Sequence, residues 1–244
     1  MNKYFSVINA RTFYVLFISI GCCFLSINFD LRYEYDTTLI SIAIVFPLVF
    51  TIRAAFSRRE KSLEHLSRLK AGLMTVYYCF QNTGKLNDGQ KAEIVDVLKG
   101  VPKSINAYLM KNGDECQVKE QLKKVFDFIQ LHSDHISGGL SVKIFRFMKD
   151  VHQGTESVMA INHHRTPISL RAYCLLFIYI FPIIYTPSFL YNIDSGTPQA
   201  ILYSILAFKA FILISLYNVQ DHMEHPFDQN GLDDIRLKDF ELDL

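Results

Sequence analysis

The chain has 244 residues, of which 50% are hydrophobic, 14% aromatic and 20% charged, with a formal net charge of +1 and a mean hydropathy of +0.16. So neutral a balance, with no basic tract carrying interleaved aromatics, gives no bulk case for nucleic acid as a partner. The apolar fraction is too high for an ordinary soluble domain, so the charges must be segregated into stretches of their own. The cysteines Cys22, Cys23, Cys79, Cys116 and Cys174 show no CxxC or metal-finger spacing and read as free thiols in a reducing or membrane setting.

The first apolar stretch, residues 13–29, is uncharged and reads as a membrane span. A cleaved signal peptide competes with that reading, but no small-x-small site follows and a second apolar run begins almost at once. The SIGC tetrapeptide ending at Cys22 resembles a lipoprotein cleavage box only faintly, with Ser19 where leucine is usual. The connector, residues 30–36, holds Asp30, Glu34 and Asp36 against Arg32, and its brevity predicts an antiparallel helical hairpin. The second span starts at Thr37 and reaches Phe56, close to the roughly 20 residues that cross a hydrocarbon core. Arg53 is its only charge and can snorkel at one end. Within it Ile42, Phe46 and Phe50 recur at every fourth position and share one helix face. Such a stripe packs on a neighbouring helix, or forms stacked apolar rings if several copies surround an axis. Arg53, Arg58, Arg59, Lys61, Arg68 and Lys70 then follow in quick succession, which places this side, and the amino terminus, in the cytoplasm.

Helical spacing continues without strand-like alternation. Leu63, Leu66, Leu69, Leu73, Val76, Tyr77 and Phe80 line one face of a helix that Asn82-Thr83-Gly84 ends. A second helix is capped by Asn87 or Asp88 and interrupted at Gly100-Val101-Pro102, where the proline suits the first turn of a further helix through Met110. Asn112-Gly113-Asp114 is a turn, residues 115–132 are again helical, and Ser137-Gly138-Gly139 precedes a last soluble helix ending near His164. Arg165-Thr166-Pro167 returns the chain to the membrane for a third span, residues 168–187, which Pro182 should kink. The loop 191–197 holds no basic residue and has Asp194 as its only charge, and Pro198 opens a fourth span through Tyr217. The carboxy-terminal segment is acidic and turn-rich, with Phe227, Ile235, Leu237 and Phe240 as anchors over the preceding soluble helices; the competing reading is a disordered tail. The expected organisation is an amino-terminal segment with spans one and two (1–56), a cytosolic helical module (57–165), spans three and four (166–217) and a cytosolic tail (218–244), an all-α membrane protein with both termini inside.

Enzymatic motifs are missing: there is no GxSxG, phosphate-cradling glycine loop or dinucleotide fingerprint. His132 and His135, His222 and His225, and the adjacent His163 and His164 invite a metal site, yet none falls in a pattern supplying a third ligand and a base. They read as helix-end or interface residues. Lys209, in AFKAFIL, is the one ionisable residue deep within a span. It costs a few kcal/mol there unless it reaches water, a partner or an interior cavity. It either attracts anions into a conduit or sits in a structural ion pair or crevice.

Four features together resemble the bestrophins, pentameric anion channels, in their shorter bacterial form. Phe50, Ala55, Phe56, Arg58 and Arg59 are similar to the exit of that family's second span, and the third span with Pro182 resembles its counterpart. Glu224-His225-Pro226-Phe227 followed by Asp233-Asp234-Ile235 resembles the Asp/Asn-Pro-Phe and acidic run after the fourth span. Two spans, a long helical insert and two more spans reproduce the layout over nearly the whole chain. Two departures stand out: Arg59-Glu60 replaces the usual tryptophan doublet, and the acidic run is diluted to Asp228-Gln229-Asn230-Gly231. The resemblance implies a homopentamer in lipid whose second spans surround a pore for small anions such as chloride, with Ile42, Phe46 and Phe50 as three apolar neck rings. It also implies a second narrow ring at Ile168. Calcium, the cofactor of the animal clasp, would find only Asp233 and Asp234 and bind weakly at best. No long animal-type extension follows, which points to a bacterial inner membrane. Two other classes stay open: a non-conducting membrane scaffold whose cytosolic helices bind a partner protein, and a membrane metalloenzyme using His163, His164 and His222.

Overall fold

The computed structural model describes residues 7–193, 196–231 and 233–243. The described residues form α1 (Ala10–Asn28), α2 (Thr38–Gln81), α3 (Asp88–Leu109), α4 (Glu115–Leu131), α5 (Gly138–His163), α6 (Ile168–Tyr191) and α7 (Gln199–Met223), then a short 3-10 helix at Leu237–Phe240. No strand occurs among them. Four helical stretches are long and apolar enough to cross a membrane: Ala10–Asn28, Thr38–Gln81, Gly138–Tyr191, whose apolar part is α6, and Gln199–Met223. Two compact units result, one from residues up to Ser57 plus Arg165–Glu224, the other from Arg58–His164 plus the residues from His225 on.

Helix starts follow local chemistry. Asn87 and Gln90 form a reciprocal cap on α3: the Gln90 amide donates to Asn87 Oδ1 at 2.8 Å and the Asn87 amide donates to Gln90 Oε1 at 3.0 Å. Ser137 Oγ accepts from the Leu140 amide at the start of α5. Pro167 and Pro198 precede α6 and α7, where a missing N–H leaves no helical bond unmade.

Three boundaries differ from the sequence expectation. The helix from Asp88 is not interrupted at Gly100-Val101-Pro102 but runs unbroken to Leu109. Proline inside a helix costs about 3 kcal/mol, but Leu98, Val101, Pro102 and Ile105 are all buried on one face, so both sides of the proline gain from staying in line. Gln121 of α4 donates to the Val97 carbonyl at 2.8 Å, and Gly100 leaves room for it, since a Cβ there would lie 2.1 Å from Gln121 Nε2. The third span does not stop at Pro187 but continues to Tyr191, and the fourth passes Tyr217 to Met223. Asp194 lies outside the described residues.

In the first unit, Val15 of α1, Ile44 and Leu48 of α2, Cys174 and Ile178 of α6, and Ala210 and Ile214 of α7 meet in one apolar cluster. The second unit has a larger core: Leu69, Leu73 and Phe80 of α2 with Ile94, Leu98, Val125, Ile144 and Met148. Phe227, Ile235, Leu237 and Leu242 are buried in that same core and Phe240 is partly buried against it, so the carboxy-terminal segment is packed rather than a disordered tail. Glycines let α2 and α5 approach closely there. A Cβ on Gly154 would stand 2.9 Å from the His65 carbonyl, and one on Gly72 would stand 2.8 Å from a Val151 methyl. All five cysteines are free thiols.

Candidate functional site

Alternation around α2 decides what the apolar span presents. Ile44, Leu48, Thr51 and Ala55 are buried within the first unit, and Thr51 Oγ1 donates back to the Leu48 carbonyl at 2.8 Å. Ile42, Phe46 and Phe50 are respectively 45%, 57% and 59% exposed. The rings of Phe46 and Phe50 lie 6.2 Å apart, so the stripe is a continuous apolar strip on the surface of the chain. It is therefore not spent on packing against this chain's own helices. Phe56 is exposed as well. Ile168, the first residue of α6, is 81% exposed.

The remaining motif positions have structural partners. In the second unit, Arg58 donates to the Ile161 carbonyl at 2.9 Å and also to that of His164. Both carbonyls belong to the end of α5, where a cation suits the negative pole of the helix. Arg59 Nε donates to the Asp233 carbonyl at 2.6 Å. The Pro226 carbonyl accepts from the Ile235 amide at 2.8 Å, which closes the loop that buries Phe227 and Ile235. In the first unit, Glu224 is buried at the end of α7 and accepts from the Thr166 hydroxyl and amide and from Gln220 Nε2.

The carboxylates of the acidic loop make hydrogen bonds within it. Asp234 accepts from the Gly231 amide at 2.8 Å and Asp228 from the Asn230 amide at 3.1 Å, so these carboxylates serve their own turn. Calcium takes six to eight oxygen ligands, and among the described residues no group of three His, Cys, Asp or Glu side chains could hold a metal ion.

Lys209 turns onto α6. Its ammonium donates to the Tyr185 hydroxyl and sits 4.3 Å from the centre of the Tyr185 ring and 5.1 Å from that of Phe189. Phe181, Tyr185 and Phe189 stack in sequence along the helix, so the cation rests on a column of π faces. Beside it lies a cavity of about 340 Å³ lined by Ser41, Ile44, Val45, Phe181, Tyr185, Lys209, Ile212 and Leu213.

A buried polar cluster at the α1–α6–α7 end of the first unit escaped the sequence reading. Asn218, fully buried, donates to the Val7 carbonyl at 2.8 Å and to Thr12 Oγ1 at 3.0 Å, and accepts from Asn9 Nδ2 at 3.0 Å. One turn on, Asp221 accepts from Arg11 at 3.0 Å and from Arg171. Residues 218, 221 and 224 are three apart on a single helix, a spacing that could have been read, as could the lone arginines near the starts of α1 and α6.

No family model and no curated protein sequence matches the chain. Solved structures do. A tryptophan-to-alanine variant of a bacterial bestrophin homologue from Klebsiella pneumoniae superposes with a TM-score of 0.82 at 13% identity, covering 95% of this chain and 93% of that one. The structure of that homologue obtained by zinc phasing gives 0.80 at 14% identity, with 94% and 93% covered. A tyrosine-to-alanine variant gives 0.79 at 14% identity over the same shares. With four span-capable helices in the same arrangement, the chain is a multi-pass membrane protein with a bestrophin-like fold.

Proposed function

We propose that this chain is the subunit of a homopentameric anion channel in a bacterial inner membrane, with both termini and the second unit on the cytoplasmic side. The observation that carries the reading is the division of α2: Ile44, Leu48 and Ala55 are spent on the chain's own core, while Ile42, Phe46 and Phe50 are left outward as a continuous apolar strip. Five copies around an axis turn that strip into three water-poor rings. A constriction of this kind gates by dewetting and passes anions that shed their hydration easily. Ile168, exposed at the start of α6, supplies a second narrow ring on the cytoplasmic side. Helix amino-terminal dipoles, rather than full charges, draw anions toward the rings. No step of this mechanism calls on calcium, and Asp228 and Asp234 of the loop accept from the Asn230 and Gly231 amides.

Chloride flux from liposomes containing the purified protein tests the reading. Replacing Ile42, Phe46 and Phe50 together by alanine raises flux on the order of tenfold, which corresponds to a barrier lowered by about 1.4 kcal/mol. Unchanged flux removes the neck assignment. A stable pentamer that carries no chloride before or after substitution favours the non-conducting scaffold instead.

A further inference from the structure

The conduction reading leaves the Lys209 cavity without a use. Numbering along α7 puts Lys209 ten residues beyond Gln199, about 15 Å along the helix axis. That is half of a hydrocarbon core about 30 Å thick. A charge at that depth is retained only where something answers it. Its partners within the chain are neutral: the Tyr185 hydroxyl and two aromatic faces. Among the described residues no Asp or Glu lines the cavity beside it. Ser41, Tyr185 and Lys209 supply the polar atoms of the lining, and the other five residues, Ile44, Val45, Phe181, Ile212 and Leu213, are apolar. Val45 and Ile212 are 44% and 41% exposed, so the cavity opens on the surface of the first unit. Ser41, Ile44 and Val45 lie around α2 from the strip of Ile42, Phe46 and Phe50, which separates this cavity from the proposed ion path.

We propose that this cavity binds a single-chain carboxylate, a fatty-acid-like amphiphile, with its carboxylate held by Lys209 and Tyr185 and its chain along the apolar wall. The chemistry is complementary on both counts. Lys209 donates to Tyr185 Oη, which leaves the tyrosine's own O–H and the remaining ammonium protons to donate to one carboxylate. A volume of about 340 Å³ is far more than an ion needs and lies at the lower end of small-molecule sites. Lys209 at mid-core depth suits a slender acid that can slide in from the bilayer better than a phospholipid headgroup fixed at the interface. The inference stands apart from conduction and holds for a channel and a scaffold alike.

The test is competition against radiolabelled dodecanoate on the full-length protein in nanodiscs of neutral lipid. Unlabelled dodecanoate displaces the label at least about tenfold more effectively than its methyl ester, the margin expected of one charge-assisted hydrogen bond in a dry site. Lys209→Met weakens dodecanoate by a similar factor, and Tyr185→Phe weakens it less. Equal competition by acid and ester in the unaltered protein overturns the proposal without any variant having to fold. Dodecyl phosphate displacing the label better than dodecanoate overturns the carboxylate assignment. Affinity unchanged to within about twofold in both Lys209→Met and Tyr185→Phe overturns the location.

Discussion

Both compact units bury apolar clusters, but they differ in the polar residues buried beside them. In the unit built from Arg58–His164 and the carboxy-terminal segment, the interior is almost wholly aliphatic and aromatic, with Ser62, Asn106 and Thr155 as its buried polar residues among those described. In the unit built from α1, the first part of α2, α6 and α7, Thr12, Ser19, Thr51, Thr186, Ser188, Asn218, Gln220 and Glu224 are all buried, while Phe13, Phe17, Phe24, Leu39 and Phe208 point outward. Water drives the first arrangement. In lipid there is no gain from hiding a phenylalanine, so helices associate through polar contacts and close packing while apolar side chains face the hydrocarbon. An outward apolar residue therefore means little in one unit and a great deal in the other. For α2 this leaves Phe46 and Phe50 free to meet lipid or other copies of themselves, which is why the proposed function turns on oligomer geometry.

The contrast can be broken most sharply at Asp221. Replacing it by leucine leaves Arg11 and Arg171 without their shared counter-charge inside the polar end of the helix bundle. The three side chains are partly exposed, so the expected loss lies between that of an exposed and of a buried pair, about 2 kcal/mol, seen as a fall in the thermal midpoint of the purified protein in detergent. A hydrophobic side chain that stabilised the protein there would show that this cluster is not what joins the helices. In the other unit the sensitive change is added bulk. Gly154→Val drives a side chain into the His65 carbonyl and Leu69 and should cost about 1–3 kcal/mol. That loss appears in the same melt, and an unchanged midpoint would mean that α2 and α5 can separate freely. The smallest effect is a pH slope. His152, half-buried on α5 with its ring 5.5 Å from Phe126, has its pKa lowered by burial, partly opposed by Glu156. Because the unfolded chain then binds the proton more readily, His152 favours the folded state fully above its ordinary value near 6.5, and that contribution is lost as pH falls from there through the lowered folded value. His152→Gln should flatten the stability–pH curve below about 6.5, and an unaltered slope would assign it elsewhere.

Much of the fold was legible from periodicity and punctuation. Apolar runs without charge marked the spans, Asn87, Ser137, Pro167 and Pro198 marked helix starts, and the spacing of Phe227, Ile235 and Leu237 pointed to a packed rather than loose end. Local rules failed where tertiary burial outweighed them. Pro102 reads as a helix start, but the apolar face running through it keeps α3 whole. The turn expected at Asn112-Gly113-Asp114 is present, with a positive φ of 62° just before it at Lys111, and Gly113 lets the chain pass close to Tyr108 and Ala107. Arg58, singled out as part of a span-exit motif, is seen capping α5, a partner 103 residues away that spacing alone could not identify.

What the amino-acid order determined by itself was the all-helical class, the four apolar spans and the segregation of charge, because these follow from chain-local periodicity and from the energy of placing charges in hydrocarbon. Only the tertiary structure decided which apolar face of α2 is consumed by the chain's own core, what answers Lys209, and that Asn218 and Asp221 tie α7 to α1 and α6. Those choices rest on contacts between residues far apart in the chain, and a helical period names a face without naming what it meets.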